Sequence, residues 1–210
     1  MRTSVREPAR SPQDAVPRDR LQINPLAPEL AAAMADLYRR MESAYDIVAR
    51  QLDFSCRGCP DNCCDSYFLH HTRIEWAYLR EGLQQLPAEE LASIRQRAAE
   101  YRQQAQVALD AGDRPALLCP LLNEEGLCGV YRHRLMICRM HGVPSSLTFP
   151  NGRVQRFPGC FRCQELTASR AASPTVERAP LLRELALLEQ RFTAGRPERI
   201  KMTIADMILG

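Results

Sequence analysis

Residues 28–64 read PELAAAMADLYRRMESAYDIVARQLDFSCRGCPDNCC. Apolar side chains recur at Leu30, Met34, Leu37, Met41, Tyr45, Val48 and Leu52, in steps of three and four. That spacing is the stripe of an amphipathic helix, and Pro28 suits its first turn. The helix runs directly into four cysteines within nine residues: Cys56, Cys59, Cys63 and Cys64. A helix that delivers a thiol cluster predicts helices packed around an irregular centre that regular backbone hydrogen bonding alone would hold poorly.

Five more cysteines follow at Cys119, Cys128, Cys138, Cys160 and Cys163, making nine in 210 residues. An odd count does not suit a pure disulfide framework. No apolar run is long enough to span a membrane, and MRTSVREPARSPQDAVPRDR at the start lacks the apolar core of a secretory signal. The sequence therefore reads as cytoplasmic, where thiols stay reduced and clustered cysteines point to metal or redox chemistry. The net charge of +3 gives no basic footprint for nucleic acid.

Residues 1–25 are rich in Pro and charge and read as a disordered tail, leaving 26–210 as one domain with a cysteine core over 54–165. RIEWAYLREGLQQL (73–86) predicts a short helix. A longer helix follows Pro87, with Glu89 and Glu90 suiting its first turn. Leu91, Ile94, Ala98, Tyr101, Ala105 and Ala108 form its apolar edge, and Gly112 is its stop. Residues 113–165 change character, with Pro, Gly and Cys at short intervals and a turn signal at NEEG. SLTFPNGRVQRF reads as a small β-hairpin turning at Asn151–Gly152. A helical turn is expected around Arg134–Met140, and a last helix over 175–194 on Leu181, Leu185, Leu188 and Phe192. The fold class is mainly α, with helices around a metal-stapled, loop-rich cysteine centre and one small hairpin.

Thiolates hold zinc tetrahedrally and, four at a time, iron–sulfur clusters. Cys56–Cys59 and Cys160–Cys163 have the two-residue spacing that lets both sulfurs face one metal, and Cys63 adds a near neighbour. The side chains of adjacent Cys63 and Cys64 diverge, so they serve two ions, or one ligates while the other packs. Cys119, Cys128 and Cys138 are too far apart to chelate locally and need partners from the first cluster. His141 is a further candidate ligand. His70, His71 and His133 read as solvated, with a thiolate hydrogen bond from His70 or His71 as the alternative. Arg132, Arg134 and Arg139 would offset thiolate charge.

CRGCPDNCC, then Cys119–Pro120, then Gly126, Cys128 and Tyr131, then Arg134, Cys138 and Arg139, then Cys160 or Cys163, together resemble the YkgJ-type cysteine-cluster family. Leu135 stands where that pattern has Pro, and the closing CxxC gives nine cysteines against its eight. The resemblance implies a zinc- or iron-chelating domain, an iron–sulfur cluster included, with a redox, metal-handling or accessory role and a metal ion as its partner. Two alternatives stand beside it: a protein-modifying enzyme of the flagellin lysine N-methylase type, and a zinc-stapled module that binds a protein partner. The sequence carries no phosphate-binding loop, dinucleotide glycine pattern or nucleophile elbow that would assign a reaction.

Overall fold

The computed structural model describes residues 23–56, 63–196 and 200–210, and for Cys63 the backbone alone. The expectation for a tail falls outside the described residues up to residue 22. Ile23 is buried against the domain, and its carbonyl accepts a hydrogen bond from Arg80 at 3.0 Å.

The first helix forms where the periodicity places it. α1 spans Pro28–Leu52, with Met34, Leu37, Tyr38, Met41 and Leu52 fully buried along one stripe. It stops at Asp53, which turns left-handed at φ 52°, so that the Asp53 and Phe54 N–H groups bond back to Arg50 and Ala49 carbonyls. α2 (Arg73–Gln84) and α3 (Ala88–Asp110) follow, and Gly112 ends α3's exit turn at φ +80°. The buried residues of α3 are Ile94, Ala98, Tyr101 and Ala105, four of the six expected.

α4 (Met136–Met140) and α5 (Phe161–Thr167) are short. α6 occupies Ala179–Phe192 and α7 Ile204–Leu209. α1 packs on α4 and α6, and α3 on α7. The helix expected over 175–194 thus starts later, with Pro180 in its first turn. Ahead of it, Val176–Glu177 forms a strand.

That strand, β3, pairs parallel with β1 (Ser145–Thr148), which pairs antiparallel with β2 (Val154–Phe157). The hairpin is the one expected, but its turn is one residue earlier. The Gly152 N–H bonds to the Phe149 carbonyl at 2.9 Å, so Pro150 and Asn151 are the central residues. Gly152 follows at φ +80°, the geometry of a type I turn closed by a glycine.

Two buried carboxylates tie the helices together. Glu189 of α6 accepts from the Arg73 and Ile74 N–H groups at 3.0 and 2.8 Å, capping the start of α2 from another helix. Glu75 of α2 accepts from the Tyr38 hydroxyl (2.9 Å), the Thr72 hydroxyl (2.7 Å) and the Met136 N–H (2.8 Å). α1, α2 and α4 therefore meet on one side chain.

Gly159 marks the tightest backbone crossing. A Cβ there would lie 2.4 Å from the Gly142 carbonyl oxygen, at φ +86°. Gly159→Ala is expected to cost about 1–3 kcal/mol, read as a lower denaturant midpoint, because both the strain and the clash involve backbone. An unchanged midpoint would show that this crossing yields readily.

Candidate metal centre

The described cysteines gather in two groups, and none of the seven is in a disulfide. The first group is Cys64, Cys119, Cys128 and Cys138. Cys64 lies in a 3-10 turn over Cys63–Asp65, and its carbonyl accepts from the Cys119 N–H at 2.9 Å. The Leu117 N–H bonds to Asp65, and Ser66 bridges Ala116, so residues 64–66 run against 116–119 as a short ladder. The chain then reverses through NEEG. The Asn123 N–H bonds to the Leu127 carbonyl, the Leu127 N–H bonds to Asn123 Oδ1, and Gly126 sits at φ +73°. This reversal sets Cys128 opposite Leu122, beside Cys119. Arg97 of α3 holds the corner by donating to the Pro120 carbonyl at 3.0 Å.

Cys138 arrives on α4, positioned by Glu75 through Met136 N–H and by Arg139. Arg139 is buried over the Tyr38 ring, 4.4 Å from its centroid. It donates to the carbonyls of Arg134 (2.8 Å) and Arg132 (2.6 Å) and pairs with Glu42. It therefore clamps the turn that leads into Cys138. Leu135, where the family pattern has Pro, keeps a proline-like φ of −79° and buries its side chain completely.

These thiols sit within each other's electrostatic reach. Burial first, with Cys128 adding to it, pushes both Cys119 and Cys138 up to about 12 from an ordinary 9.0. Cys128 is raised by burial too, against Arg134 and Arg139, which favour its thiolate. Arg134 and Arg139 thus have the charge-offsetting placement expected of them, while Arg132 is exposed.

The second group is Cys56, Cys160 and Cys163. Cys160 caps the start of α5 and donates its N–H to the Gly142 carbonyl at 2.9 Å; Cys163, one turn on, is fully buried. Burial, then Cys160, pushes Cys163 up to about 11, with a smaller contribution from Cys56. The Tyr45 hydroxyl lies 3.7 Å from Cys56 Sγ. Cys59 lies outside the described residues. Among those described, no three candidate donors already stand close enough to close around one ion.

The histidines differ from expectation. His133 is half-buried and stacks on Tyr78 with centroids 4.7 Å apart, under Gly82. His141 is half-buried edge-on to Phe68 at 5.4 Å. His71 Nδ1 is 3.2 Å from the Ile200 carbonyl. His70, read as solvated, is buried at 4% exposure, and burial lowers its pKa. It lines a cavity of about 50 Å³ together with Cys64, Cys119 and Cys138. Its signal was a period of two after the 3-10 turn: Ser66, Phe68 and His70 alternate and, with Cys64, line the cavity.

Residues 55–153 match the family model named CxxCxxCC, described as a "putative zinc- or iron-chelating domain". The match covers just under half of the chain and agrees in kind with the family that the cysteine order resembles. It includes the first thiol group and Cys56, and ends before Cys160 and Cys163. No curated protein and no solved structure matches the chain. Among the described residues no helix is long and apolar enough to cross a membrane.

Proposed function

We propose, on the premise that residues 55–153 carry a zinc- or iron-chelating domain, that this is a cytoplasmic metal-binding protein whose main centre is built from Cys64, Cys119, Cys128 and Cys138. Cys59 and Cys63 supply further thiolates from the cluster, and Cys56, Cys160 and Cys163 form a second thiol site. The observation that carries this reading is the convergence of four half-buried thiols from three segments of the chain, none of them in a disulfide. The donor set fits the group: soft thiolates select zinc and iron, and Arg134 and Arg139 stand where thiolate charge would accumulate. A bound ion would supply the cross-link that a loop-rich centre lacks. Elemental analysis with an absorption spectrum after anaerobic purification tests it. About one ion or more per chain is expected, colourless for zinc and with a broad visible band for iron–sulfur. A chain that stays metal-free after reconstitution would overturn the reading.

A second reading, a metal-stapled interaction module, is favoured by an open groove of about 740 Å³ beside Cys119. Glu89, Glu90, Glu124 and Glu125 rim it over Leu121 and Leu122, a surface suited to a basic, partly apolar segment of a partner. A partner captured equally well by metal-loaded and metal-free protein would count against that version.

The pH behaviour follows from the buried thiols. In the metal-free fold Cys119 and Cys138 keep their protons up to about 12, whereas in the unfolded chain they ionise near 9.0. The unfolded state therefore binds fewer protons above the lower value, and stability falls as pH rises through that window. Metal-free protein in reductant is expected to show a lower urea midpoint at about pH 10 than at about pH 8. The loaded protein, its thiols already deprotonated, should lose less, and zinc uptake should release protons and weaken as pH falls. A metal-free midpoint that rises with pH would contradict the burial of these thiols.

A further inference from the structure

The second thiol site has a chemistry of its own. Its three cysteines are not placed to close around an ion, and two of them, Cys160 and Cys163, lie beyond the matched domain. A disulfide needs only two sulfurs. Cys160 caps α5, and its carbonyl accepts the Gln164 N–H at 2.9 Å, so one closed helical turn holds it and Cys163. Helix geometry sets the first and fourth Cα atoms of such a turn about 5 Å apart. That lies inside the roughly 4.4–6.8 Å that a disulfide spans. The backbone around the pair is held by other contacts. The Cys160 N–H bonds to Gly142 at the glycine crossing, Gln164 Nε2 donates to the Gly159 carbonyl at 2.9 Å, and the Thr167 hydroxyl donates to the Cys163 carbonyl at 2.8 Å. Closing the pair therefore asks for side-chain rotation rather than backbone movement. The two thiols also differ in access: Cys160 is half-buried, Cys163 is fully buried, and Phe161 between them is 48% exposed.

We propose that Cys160 and Cys163 are a redox-active dithiol that reduces a peptide disulfide. Cys160, the accessible thiol, loses its proton to solvent and attacks one sulfur of the partner. A mixed disulfide forms, the partner's S–S bond breaks, and one partner thiolate leaves. Cys163, its proton taken by the thiolate just released, then attacks Cys160 Sγ. The internal disulfide forms, the mixed disulfide breaks, and the second partner thiolate leaves and takes a proton from solvent. Two electrons and two protons have passed from the pair to the partner. The burial of Cys163 keeps it for this second step, and Phe161 offers the partner an apolar contact beside the attacking sulfur. The proposal does not depend on the metal reading of the first thiol group.

The test equilibrates the full chain anaerobically in mixtures of reduced and oxidised glutathione, once loaded with zinc and once after chelation. Remaining thiols are then alkylated and disulfides mapped by peptide mass. A Cys160–Cys163 disulfide is expected in both preparations and in Cys56→Ser. Its ratio to the dithiol should change about tenfold for each tenfold change in oxidised glutathione over the square of the reduced form. Cys163→Ala should accumulate glutathione on Cys160, the trapped first step. Cys160→Ser should take up about tenfold less on the buried Cys163. If either variant fails to fold, the wild-type and Cys56→Ser maps decide. A pair that stays reduced across the whole range, a disulfide drawn from Cys56 to either cysteine instead, equal glutathione uptake by the two variants, or oxidation only after zinc is removed would each overturn the proposal. None of these outcomes touches the metal reading of Cys64, Cys119, Cys128 and Cys138, and a chain that takes up no zinc overturns that reading alone.

Discussion

Cys138→Ser is expected to strip the protein of most of its bound metal and to lower its loaded stability, while the metal-free fold changes little. The substitution exchanges one atom and keeps the size of the side chain, so α4 and its Glu75 and Arg139 contacts persist. What disappears is a soft donor facing Cys119 and Cys128, and serine does not replace a thiolate at zinc or iron. Each tenfold loss of affinity removes about 1.4 kcal/mol of metal-linked stability at saturating metal. A hundredfold loss, a modest figure for a lost ligand, would remove about 2.7 kcal/mol. The measurement pairs metal stoichiometry with thermal midpoints in the presence and absence of chelator. Cys119→Ser should behave alike. Unchanged stoichiometry in both variants would remove these two cysteines from the ligand set.

Glu75→Ala is expected to destabilise the metal-free protein by about 3–5 kcal/mol, because it strands donors buried on three elements. The Tyr38 hydroxyl and the Met136 N–H both bond to the same carboxylate oxygen and would lose it together. The Thr72 hydroxyl loses its acceptor as well, at the entry to α2. Glu75→Gln keeps one acceptor oxygen and should cost clearly less. Urea unfolding in chelator reads both values. Because Met136 opens the helix that carries Cys138, Glu75→Ala should also weaken metal retention, although residue 75 touches no thiol. A loss below about 1 kcal/mol would mean that water or rearrangement satisfies these donors.

The parts of this fold that were legible in the sequence are those that local physics dictates. α1, α2 and α3 follow from a 3.6-residue apolar period and from Pro28, Pro87 and Gly112 at their ends. β3 was not legible: Val176 and Glu177 become a strand only because Ser145 and Ser146, about thirty residues earlier, offer a free edge. His70 was missed for the same kind of reason. Its burial is set by Met202, more than 130 residues further on, and nothing near position 70 announces that contact. The cysteines were conspicuous as residues, but their division into two groups was not. It depends on the crossing of Gly142 and Gly159, which carries Cys160 and Cys163 to the side of Tyr45 and Cys56.

The bridge between His70 and Met202 has a consequence in time. The cavity's wall at Ile204 is translated about forty residues after Cys163, when every cysteine has already been made. At ordinary synthesis rates that interval is about 2–8 s. For those seconds the growing chain carries all of its thiols while one side of their cavity is still missing. On the proposed metal reading, these thiols are most open to an incoming ion, and most exposed to an oxidant, before α7 closes over them.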